Sequence, residues 1–274
     1  MEKEQIRFLE NVAADGFVGL EEIDYDGWEL RFTEGFTGRA NSVQIKGEST
    51  IDLIQKVEFC EKAYAEHELP CMFKLTDADK DFISLLEKRG YQVAKPTDVM
   101  TLALDDVNAS NMKGVDTSVS EKVDTERNAG ATMKDVEFTT SPENWFEYYF
   151  KFENMQDEKN RELTRKIHAK VPASQVYIKV IYEGKTAAVA SLATERGYSL
   201  LHNVVVDPEL RGKGLGKKLC RAAILKSKEC GASHIFLQVM QNNPVALNLY
   251  KKLGFEKQYT YYYVTNKVSN SPIL

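Results

Sequence analysis

The sequence predicts an α/β (α+β) fold in which a mixed, mainly antiparallel sheet is flanked by helices. Short runs of β-branched and aromatic residues alternate with stretches whose apolar residues recur at helical spacing, and Gly, Pro and Asn separate them. Residues 234–239 form a mostly apolar run, which is typical of a strand in the interior of a sheet. In the C-terminal half these signals give the order β-α-α-β-β-β-α-β-α-β.

Each C-terminal element follows from local signals. Glycine-containing turns separate the first hairpin strands, Gly231 and Gly254 end the two later helices, and Asn243 followed by Pro244 begins the last helix. The predicted strands are Val136–Thr139, Gln175–Tyr182, Ala187–Leu192, Tyr198–Val206, His234–Val239 and Phe255–Val264. The predicted helices are Trp145–Phe152, Leu163–His168, Leu215–Glu229 and the stretch from Pro244 to Leu253.

The N-terminal half repeats part of this order. Moving the C-terminal elements back by 164 positions places helix 215–229 on residues 51–65 and strand 234–239 on residues 70–75. The same shift places the pattern that ends in Gly254 and Phe255 on the one that ends in Gly90 and Tyr91. Three coincidences at one offset predict a degenerate internal duplication, and hence a tandem fold. Two unrelated α/β domains remain the alternative.

Composition divides the chain into three parts. Residues 1–104, the predicted N-terminal domain, carry 12 Lys and Arg against 21 Asp and Glu, a net charge of −9. Residues 105–134 hold few large apolar side chains and are the predicted linker. Residues 135–274, the predicted C-terminal domain, carry 20 Lys and Arg against 14 Asp and Glu, a net charge of +6. The acidic half argues against a nucleic-acid partner, and the basic half suits an anionic ligand.

Targeting and cysteine signals predict a cytoplasmic protein. The N-terminus has no apolar segment of the kind found in signal peptides, and no apolar run approaches the ~18 residues that a membrane span requires. The cysteines show neither CxxC spacing nor a histidine at metal-ligand distance. We therefore expect no bound metal and reduced, partly buried thiols at Cys60, Cys71, Cys220 and Cys230.

The loop before helix 215–229 predicts a pyrophosphate site. A helix N-terminus offers unpaired backbone N–H groups and a partial positive charge, and Gly212, Gly214 and Gly216 let a ligand approach the backbone closely. Arg211, Lys213 and neighbouring lysines add positive charge. The spacing GxGxG is one residue short of the dinucleotide fingerprint, and it also fails the spacing of the P-loop.

The motifs around this loop resemble those of the GNAT superfamily of acetyl-CoA-dependent N-acetyltransferases. Arg211-x-x-Gly214-x-Gly216 follows a strand that ends Val204-Val205-Val206, and Asn243-x-x-Ala246-x-x-Leu249-Tyr250-x-x-x-Gly254-Phe255 resembles the family's second motif. The resemblance covers about residues 135–265 and implies acetyl-CoA as co-substrate. By that resemblance the residues that bind it are Val204, Val205, Val206, Arg211, Gly212, Lys213, Gly214, Leu215, Gly216, Lys217, Asn243 and Tyr250.

Three residues are candidates for catalysis. The resemblance implies that Tyr250 lies near the sulfur of the donor, where its hydroxyl would protonate the leaving thiolate. His202 stands two residues before Val204, so strand alternation predicts both on one face, and His202 is the first candidate for the base that deprotonates the amine. Glu195, in the preceding turn, is the second candidate. Structural roles for His202 and Glu195, in packing or in a solvated turn, remain open.

The first half lacks the features of the cofactor loop. Gly47-Glu48-Ser49-Thr50 stands at its matching position, and Leu86 replaces Tyr250. The segment Gly35–Ser42 either shapes a substrate pocket or forms a plain turn, and the acidic run at Glu21, Glu22, Asp24 and Asp26 either attracts a cationic amine or is solvated surface. The leading hypothesis is acetyl transfer to a primary amine on a small cationic molecule. The alternative is a non-catalytic acyl-CoA-binding or assembly module. The sequence does not specify the acceptor, the acyl chain length or the oligomeric state.

Overall fold

The structure, a computed structural model, describes residues 1–105 and 133–266. Apart from its ends, the predicted linker at 105–134 lies outside the described residues. The helices of the two ranges are α1 (Lys3–Asp15), α2 (Leu53–Glu66), α3 (Lys80–Lys88), α4 (Glu143–Phe152), α5 (Glu158–Lys170), α6 (Leu215–Glu229) and α7 (Pro244–Lys252), with a single 3-10 turn at Pro208–Leu210.

The strands join into one sheet and confirm the predicted fold class. They are β1 (Glu21–Tyr25), β2 (Trp28–Phe32), β3 (Val43–Ile45), β4 (Met72–Thr76), β5 (Gln92–Ala103), β6 (Val136–Thr139), β7 (Ser174–Tyr182), β8 (Lys185–Glu195), β9 (Tyr198–Val206), β10 (His234–Met240) and β11 (Glu256–Thr265). Every predicted C-terminal element is present. The β7–β8 hairpin is longer than expected because cross-strand pairing continues to the turn at Lys185.

The internal duplication is confirmed by the element order. Helix α7 shifted back by 164 positions coincides with α3 at both ends, and the first residue of β11 falls on the first residue of β5. In each half an antiparallel hairpin is followed by a helix and then by a strand that is parallel to the second strand of the hairpin. These parallel pairs are β3 and β4 in the first half and β9 and β10 in the second. The remaining pairs of neighbouring strands in the described sheet are antiparallel.

The two halves exchange their last strands. The order across the sheet is β1-β2-β3-β4-β11-β5-β10-β9-β8-β7-β6, so β11 of the second half pairs with β4, and β5 of the first half pairs with β10. Strands β11 and β5 also pair with each other. Residues from both sides of the predicted linker therefore form the centre of one continuous sheet.

Helices cover both faces of this sheet. Helices α6 and α7 pack on one face of the second half, where Leu219, Ala223 and Ile224 are fully buried against β7–β10. Helices α2 and α3 cover the first half around Trp28 and Phe73. Helices α1 and α5 lie across the middle of the sheet, against residues of β4, β5, β9, β10 and β11. Helix α1 thus brings the first half onto the strand that carries His202.

Candidate active site

A cleft opens where two central strands diverge. Strands β9 and β10 pair only as far as Leu201 and Leu237, yet β9 stays paired with β8 to Val206 and β10 stays paired with β5 to Met240. Within the described residues, the backbone of β9 beyond Leu201 therefore has no ladder partner on the side that faces β10. The resulting cleft has a volume of about 830 Å³. It offers free backbone hydrogen-bonding groups to an extended ligand.

A β-bulge at Asn203 changes which side chains share a face. Asn203 has a left-handed φ of 54°, and the register moves from Val189↔Val205 to Ser191↔His202, so two residues oppose one. Val204 consequently packs toward α6, whereas His202 packs beside Phe17 on the other face. The prediction that alternation places His202 and Val204 on one face is wrong. Both residues still line the cleft, because the cleft passes between the strands.

Partly buried hydrogen bonds hold the bulge in place. The Asn203 amide donates to Ser191 Oγ at 3.1 Å and to His168 Nε2 at 3.2 Å, and the Tyr149 hydroxyl donates to Asn203 Oδ1 at 3.4 Å. On the other side of the ring, His168 Nδ1 lies 3.2 Å from Gln175 Oε1. Because Nε2 accepts from the Asn203 amide and Nδ1 faces an oxygen acceptor, the proton of the neutral ring is on Nδ1. The network fixes the strand that carries His202.

His202 is a buried imidazole without a polar partner. Its residue is 6% exposed, and both ring nitrogens lack a hydrogen bond to any described residue. Its ring stacks 5.8 Å from the His168 ring. Burial lowers the pKa of His202 well below its usual range, and the neighbouring charges of His168 and Arg39 lower it further. The ring is therefore neutral at pH 7 and can accept a proton.

This histidine pair makes the fold acid-sensitive. Burial lowers the pKa of His168 to about 4, so the folded state resists protonation that the unfolded chain accepts below pH 6.5. Stability is complete above pH 6.5 and is lost as the pH falls toward 4. We expect His168 to remove about 2 kcal/mol from the free energy of unfolding between pH 7 and pH 5.

Urea titrations at the two pH values test this expectation. A His168→Gln variant should lose less stability on acidification than the parent, whatever its stability at pH 7. The control is His67→Gln. A backbone hydrogen bond to Ala63 raises the pKa of His67, so protonation of His67 stabilises the folded state. Removing His67 should therefore not reduce the stability that is lost on acidification. Equal losses in the parent and in the His168 variant would contradict the assignment.

Tyr250 lies at the cleft with a free hydroxyl. The residue is 7% exposed, lines the cleft and has no hydrogen-bond partner for its hydroxyl among residues 1–105 and 133–266. Burial raises its pKa well above the usual value, and the nearby Cys220 adds to the shift, so the hydroxyl stays protonated at neutral pH. Asn243 also lines the cleft, and its side-chain oxygen accepts from Ala246 N at 3.1 Å to cap α7. The Asn243 amide group remains available to donate.

The glycine loop is exposed beside the end of β9. Gly214 is the N-cap of α6 with a φ of 78° and contributes no side-chain cap, and no acidic residue stands in the first turn. The first backbone N–H groups of α6 therefore face outward unpaired. A side chain added at Gly214 would meet no described atom within 4 Å, and Gly216 faces Val206 and Leu249. The loop is thus open to a ligand.

The other predicted loop residues surround this helix start. Lys213 Nζ lies 4.9 Å above the Tyr182 ring, and Arg211 and Lys217 are exposed. The Arg211 charge partly offsets the rise that burial causes in the pKa of Glu153, a residue of the cleft wall. Val204 lines the cleft, while the side chain of Val205 is buried against the α4 aromatic cluster.

Glu195 is not brought to the cleft. It pairs with Tyr198 at the turn that begins β9 and forms an ion pair with Arg196 at 3.4 Å. Val204 lies six residues farther along the strand, a separation of about 20 Å. Glu195 is also absent from the residues that line the cleft. The strand thus places Glu195 at the opposite end from the diverging strands, and its role as an alternative base stays a prediction that this position does not favour.

The acidic run of the first half has structural roles away from the cleft. It lies on and just after β1, the outermost strand of the sheet. Glu22 pairs with Arg31 and Lys170, and Glu21 pairs with His67. Asp26 accepts the backbone N–H groups of Thr50 and Ile51. Its side chains do not line the cleft, and attraction of a cationic amine by this run stays a prediction.

In the first copy, side-chain carboxylates occupy the helix start that corresponds to the glycine loop. The start of α2 corresponds to the start of α6, and there the carboxylates of Asp26 and Asp52 accept four N–H hydrogen bonds from Thr50, Ile51, Ile54 and Gln55. These hydrogen bonds to Thr50 and Ile51 lower the pKa of Asp26. The chain's own carboxylates thus occupy the position that is open at Gly214.

Several residues of the cleft, and one that supports it, were missed by sequence reasoning. Asn203, His168 and Tyr149 meet only through the bulge, and alternation patterns carry no signal for a bulge. Residues 36–39, part of the segment predicted as either a pocket or a turn, do line the cleft, together with Tyr261 and Tyr263 of the exchanged strand β11. The dense tyrosines of β11 were a visible signal, but their position depends on the strand exchange.

The residues present fit an acyl-CoA co-substrate. The open helix start suits its pyrophosphate, and the unpaired backbone of β9 suits the amides of its pantetheine arm. Among the described residues, no three His, Cys, Asp or Glu side chains are grouped to hold a metal ion. All four cysteines are free thiols, with Cys230 half-buried and the others buried. No helix in residues 1–105 or 133–266 could cross a bilayer.

Comparisons with known proteins identify a family and similar chains. The family described as "Probable histone acetyltransferase Rv0428c C-terminal" matches residues 3–264. The chain is 26% identical over 254 residues to the uncharacterized N-acetyltransferase YobR of Bacillus subtilis (strain 168), which covers 92% of this chain and 95% of that protein.

Two solved structures share the fold. A GCN5-related N-acetyltransferase from Kribbella flavida has a TM-score of 0.67 at 16% identity and covers 96% of both chains. A tandem GNAT protein from the clavulanic acid biosynthesis pathway has a TM-score of 0.58 at 13% identity, covering 83% of this chain and 74% of that chain.

Proposed function

Because the chain belongs to the GNAT superfamily of N-acetyltransferases, in the family of the Rv0428c C-terminal region, we propose that it transfers acetyl from acetyl-CoA to a primary amine of a small molecule. GNAT acetyltransferases use acetyl-CoA. The observation that carries the proposal is the cleft between the diverging strands β9 and β10, which is lined by both Tyr250 and the unpartnered His202 ring.

The proposed reaction is direct attack of the amine on the thioester. The substrate amine arrives as an ammonium cation, and neutral His202 accepts a proton so that the nitrogen lone pair is free. The nitrogen forms a bond to the carbonyl carbon, the carbon–sulfur bond breaks, and Tyr250 donates its proton to the departing sulfur. The nitrogen loses its second proton to solvent, the Tyr250 phenolate takes a proton from solvent, and His202 releases its proton to solvent, so both side chains return to their starting states. No described Ser-His-Asp or Cys-His arrangement lines the cleft, and direct attack requires no enzyme nucleophile.

The cleft supports a small acceptor with a charged amine. Its volume of about 830 Å³ falls in the range of small-molecule sites. Glu153 and Asp157, on and after the end of α4, border it and can attract an ammonium group. Release of free thiol from acetyl-CoA, measured against polyamines, aminoglycosides, amino acids and peptides, tests the proposal. Acetyl-CoA binding without thiol release for any amine would instead favour the non-catalytic module.

Replacement of His202 tests the base. We expect His202→Gln to lower kcat/KM by about 10- to 100-fold, which is at or below the lower limit for a general base, because the depressed pKa of His202 makes it a weak one. Since His202 in the parent stays neutral down to a pH well below 6.5, the acid limb above that pH belongs to the amine. Its shape should therefore match in parent and variant.

The control for this variant is His234→Gln. His234 stacks on Tyr198 at the far end of the β9–β10 pair and does not line the cleft. Its kcat/KM should equal that of the parent on the same acceptor. Unchanged kcat/KM in His202→Gln would leave deprotonation to water or to the substrate itself.

A further inference from the structure

We propose that the acceptor carries a carboxylate in addition to its amine, and that Arg39 and the Thr37 hydroxyl of the β2–β3 segment bind this carboxylate. The inference rests on the proposed acetyl transfer and specifies its substrate class as small zwitterionic amines. It assigns to the non-catalytic first half a part of the acceptor site.

The segment that carries these two residues is rigidly held. The Asn41 side chain accepts from Thr33 N at 2.7 Å and Gly35 N at 3.0 Å, and it donates to Phe36 O at 2.6 Å and Thr37 O at 2.9 Å. A single buried amide therefore fixes four backbone groups of one short loop. The conformational entropy of this loop is lost during folding, so the loop is already ordered before any ligand binds.

Contact with the exchanged strand fixes the loop further. A Cβ atom added at Gly38 would come within 2.7 Å of the Tyr263 ring, so glycine allows the loop to lie directly on that ring. Ser42 Oγ donates to Gly38 O at 2.6 Å. The residues on either side of Gly38, Thr37 and Arg39, are thereby presented to the cleft.

Both residues have unused hydrogen-bonding capacity. Thr37 is 9% exposed with a left-handed φ of 64°, and its Oγ1 is buried without a partner. The Arg39 guanidinium carbon lies 3.9 Å above the Phe17 ring, but no acceptor or carboxylate of the described residues pairs with its N–H groups. A guanidinium fork and an adjacent hydroxyl can together donate to the two oxygens of a carboxylate.

The carboxylate site lies within reach of the proposed base. Phe17 stands between the two, 3.9 Å from the Arg39 guanidinium carbon and with its ring centre 6.3 Å from that of His202. Arg39 and His202 are therefore separated by at most about 10 Å, the sum of these distances. One small molecule can contact both.

The other charges of the cleft agree with a zwitterion. Lys95, on the β5 bulge, adds a second cation without an ion-pair partner in the described chain, and Glu153 and Asp157 supply the acidic border. Asp157 caps α5 through Lys159 N at 3.0 Å, and Glu153 responds to Arg211. Neither carboxylate pairs with Arg39, whose charge is left for the ligand.

Matched acceptors test the inference. Thiol release from acetyl-CoA is measured with α-, β- and γ-amino acids, each compared with its own carboxamide. The parent should favour the carboxylate, and Arg39→Gln should reduce the carboxylate-to-carboxamide ratio of kcat/KM by about 10- to 100-fold, as expected for loss of a hydrogen-bonded charge pair. Thr37→Val keeps the branched shape and should reduce the ratio less. Arg89→Gln, which removes an arginine paired with Glu61 in the first half, should leave the ratio unchanged.

The outcomes separate this inference from the proposed function. Turnover with a ratio that Arg39→Gln does not change, or a preference for carboxamides, would overturn the carboxylate site alone. A raised KM for acetyl-CoA with every acceptor would assign Arg39 to the donor and would also overturn it. If no amine is acetylated, binding of the amino acids is measured by calorimetry. Binding that depends on Arg39 would support the carboxylate site and reject the proposed acetyl transfer. No binding would reject both the carboxylate site and the acetyl transfer.

Discussion

Tyr250→Phe should lower kcat by about 10²- to 10⁴-fold while acetyl-CoA affinity changes little. The variant keeps the ring and its packing against Phe255 and removes only a hydroxyl that has no hydrogen bond within the described chain. Its free energy of unfolding should therefore match the parent. Because burial holds the pKa of Tyr250 well above its usual value, we also expect no basic limb from this residue up to pH 9.

Tyr64→Phe provides the matched control. The Tyr64 hydroxyl is also buried, but it donates to Arg31 O at 3.0 Å in the first half, far from the diverging strands. This change should cost about 1 kcal/mol of stability and leave kcat unchanged. Tyr250→Phe should therefore lose kcat and keep its stability, whereas Tyr64→Phe should lose stability and keep its kcat. A Tyr250→Phe enzyme with full kcat would remove Tyr250 as the acid, and the leaving thiolate would then be protonated by solvent.

Gly214→Val should abolish acetyl-CoA binding, with a dissociation constant raised at least about 100-fold. The N-cap position has a φ of 78°, which a β-branched side chain adopts only with strain, and a side chain there would stand in the open space beside the start of α6 that a ligand would need. Loss of two charge-assisted hydrogen bonds is enough for this effect. Calorimetry with acetyl-CoA measures it and should give one site per parent chain, because Asp26 fills the matching seat at α2.

Gly231→Val is the control at the opposite end of the same helix. Gly231 has a φ of 81° and equally open surroundings, so the strain is comparable while the phosphate seat is untouched. Both variants should lose similar stability, and only Gly214→Val should lose affinity. Full affinity in Gly214→Val would mean that the loop does not bind the pyrophosphate, and two equal sites in the parent would show that the first copy binds as well.

The elements of the second half were predictable because their signals are local. Asn243 and Pro244 specify where α7 begins, and the glycines after α6 and α7 adopt the left-handed conformation that ends a helix. The cofactor loop is likewise contiguous in sequence, so its chemistry could be inferred before its geometry. Here the residues that act together are also neighbours in the chain.

The acceptor side could not be predicted in the same way, because it is assembled from distant segments. The bulge at Asn203 depends on which residue of β8 lies opposite, and alternation therefore assigned His202 the wrong face relative to Val204. Arg39, His202 and Tyr263 come from three separate parts of the chain. The strand exchange cannot be predicted from composition either. Strands β5 and β11 follow equivalent helices, and they differ in the outer neighbour with which each one pairs, β10 for β5 and β4 for β11.

The exchanged strands have a consequence for synthesis on the ribosome. One edge of β4 pairs with β11, where Thr76 lies opposite Tyr261 and Met72 lies opposite Thr265. The ribosome therefore adds roughly 190 further residues after β4 before its native neighbour on that edge exists. At ~5–20 residues per second, that edge stays without its native neighbour for about 10 to 40 s. During this interval β5 has already emerged and offers β4 a local but non-native pairing. The nascent first half must release that pairing, or avoid it, before the final strand can enter, and its net charge of −9 helps to keep it from associating with other chains meanwhile.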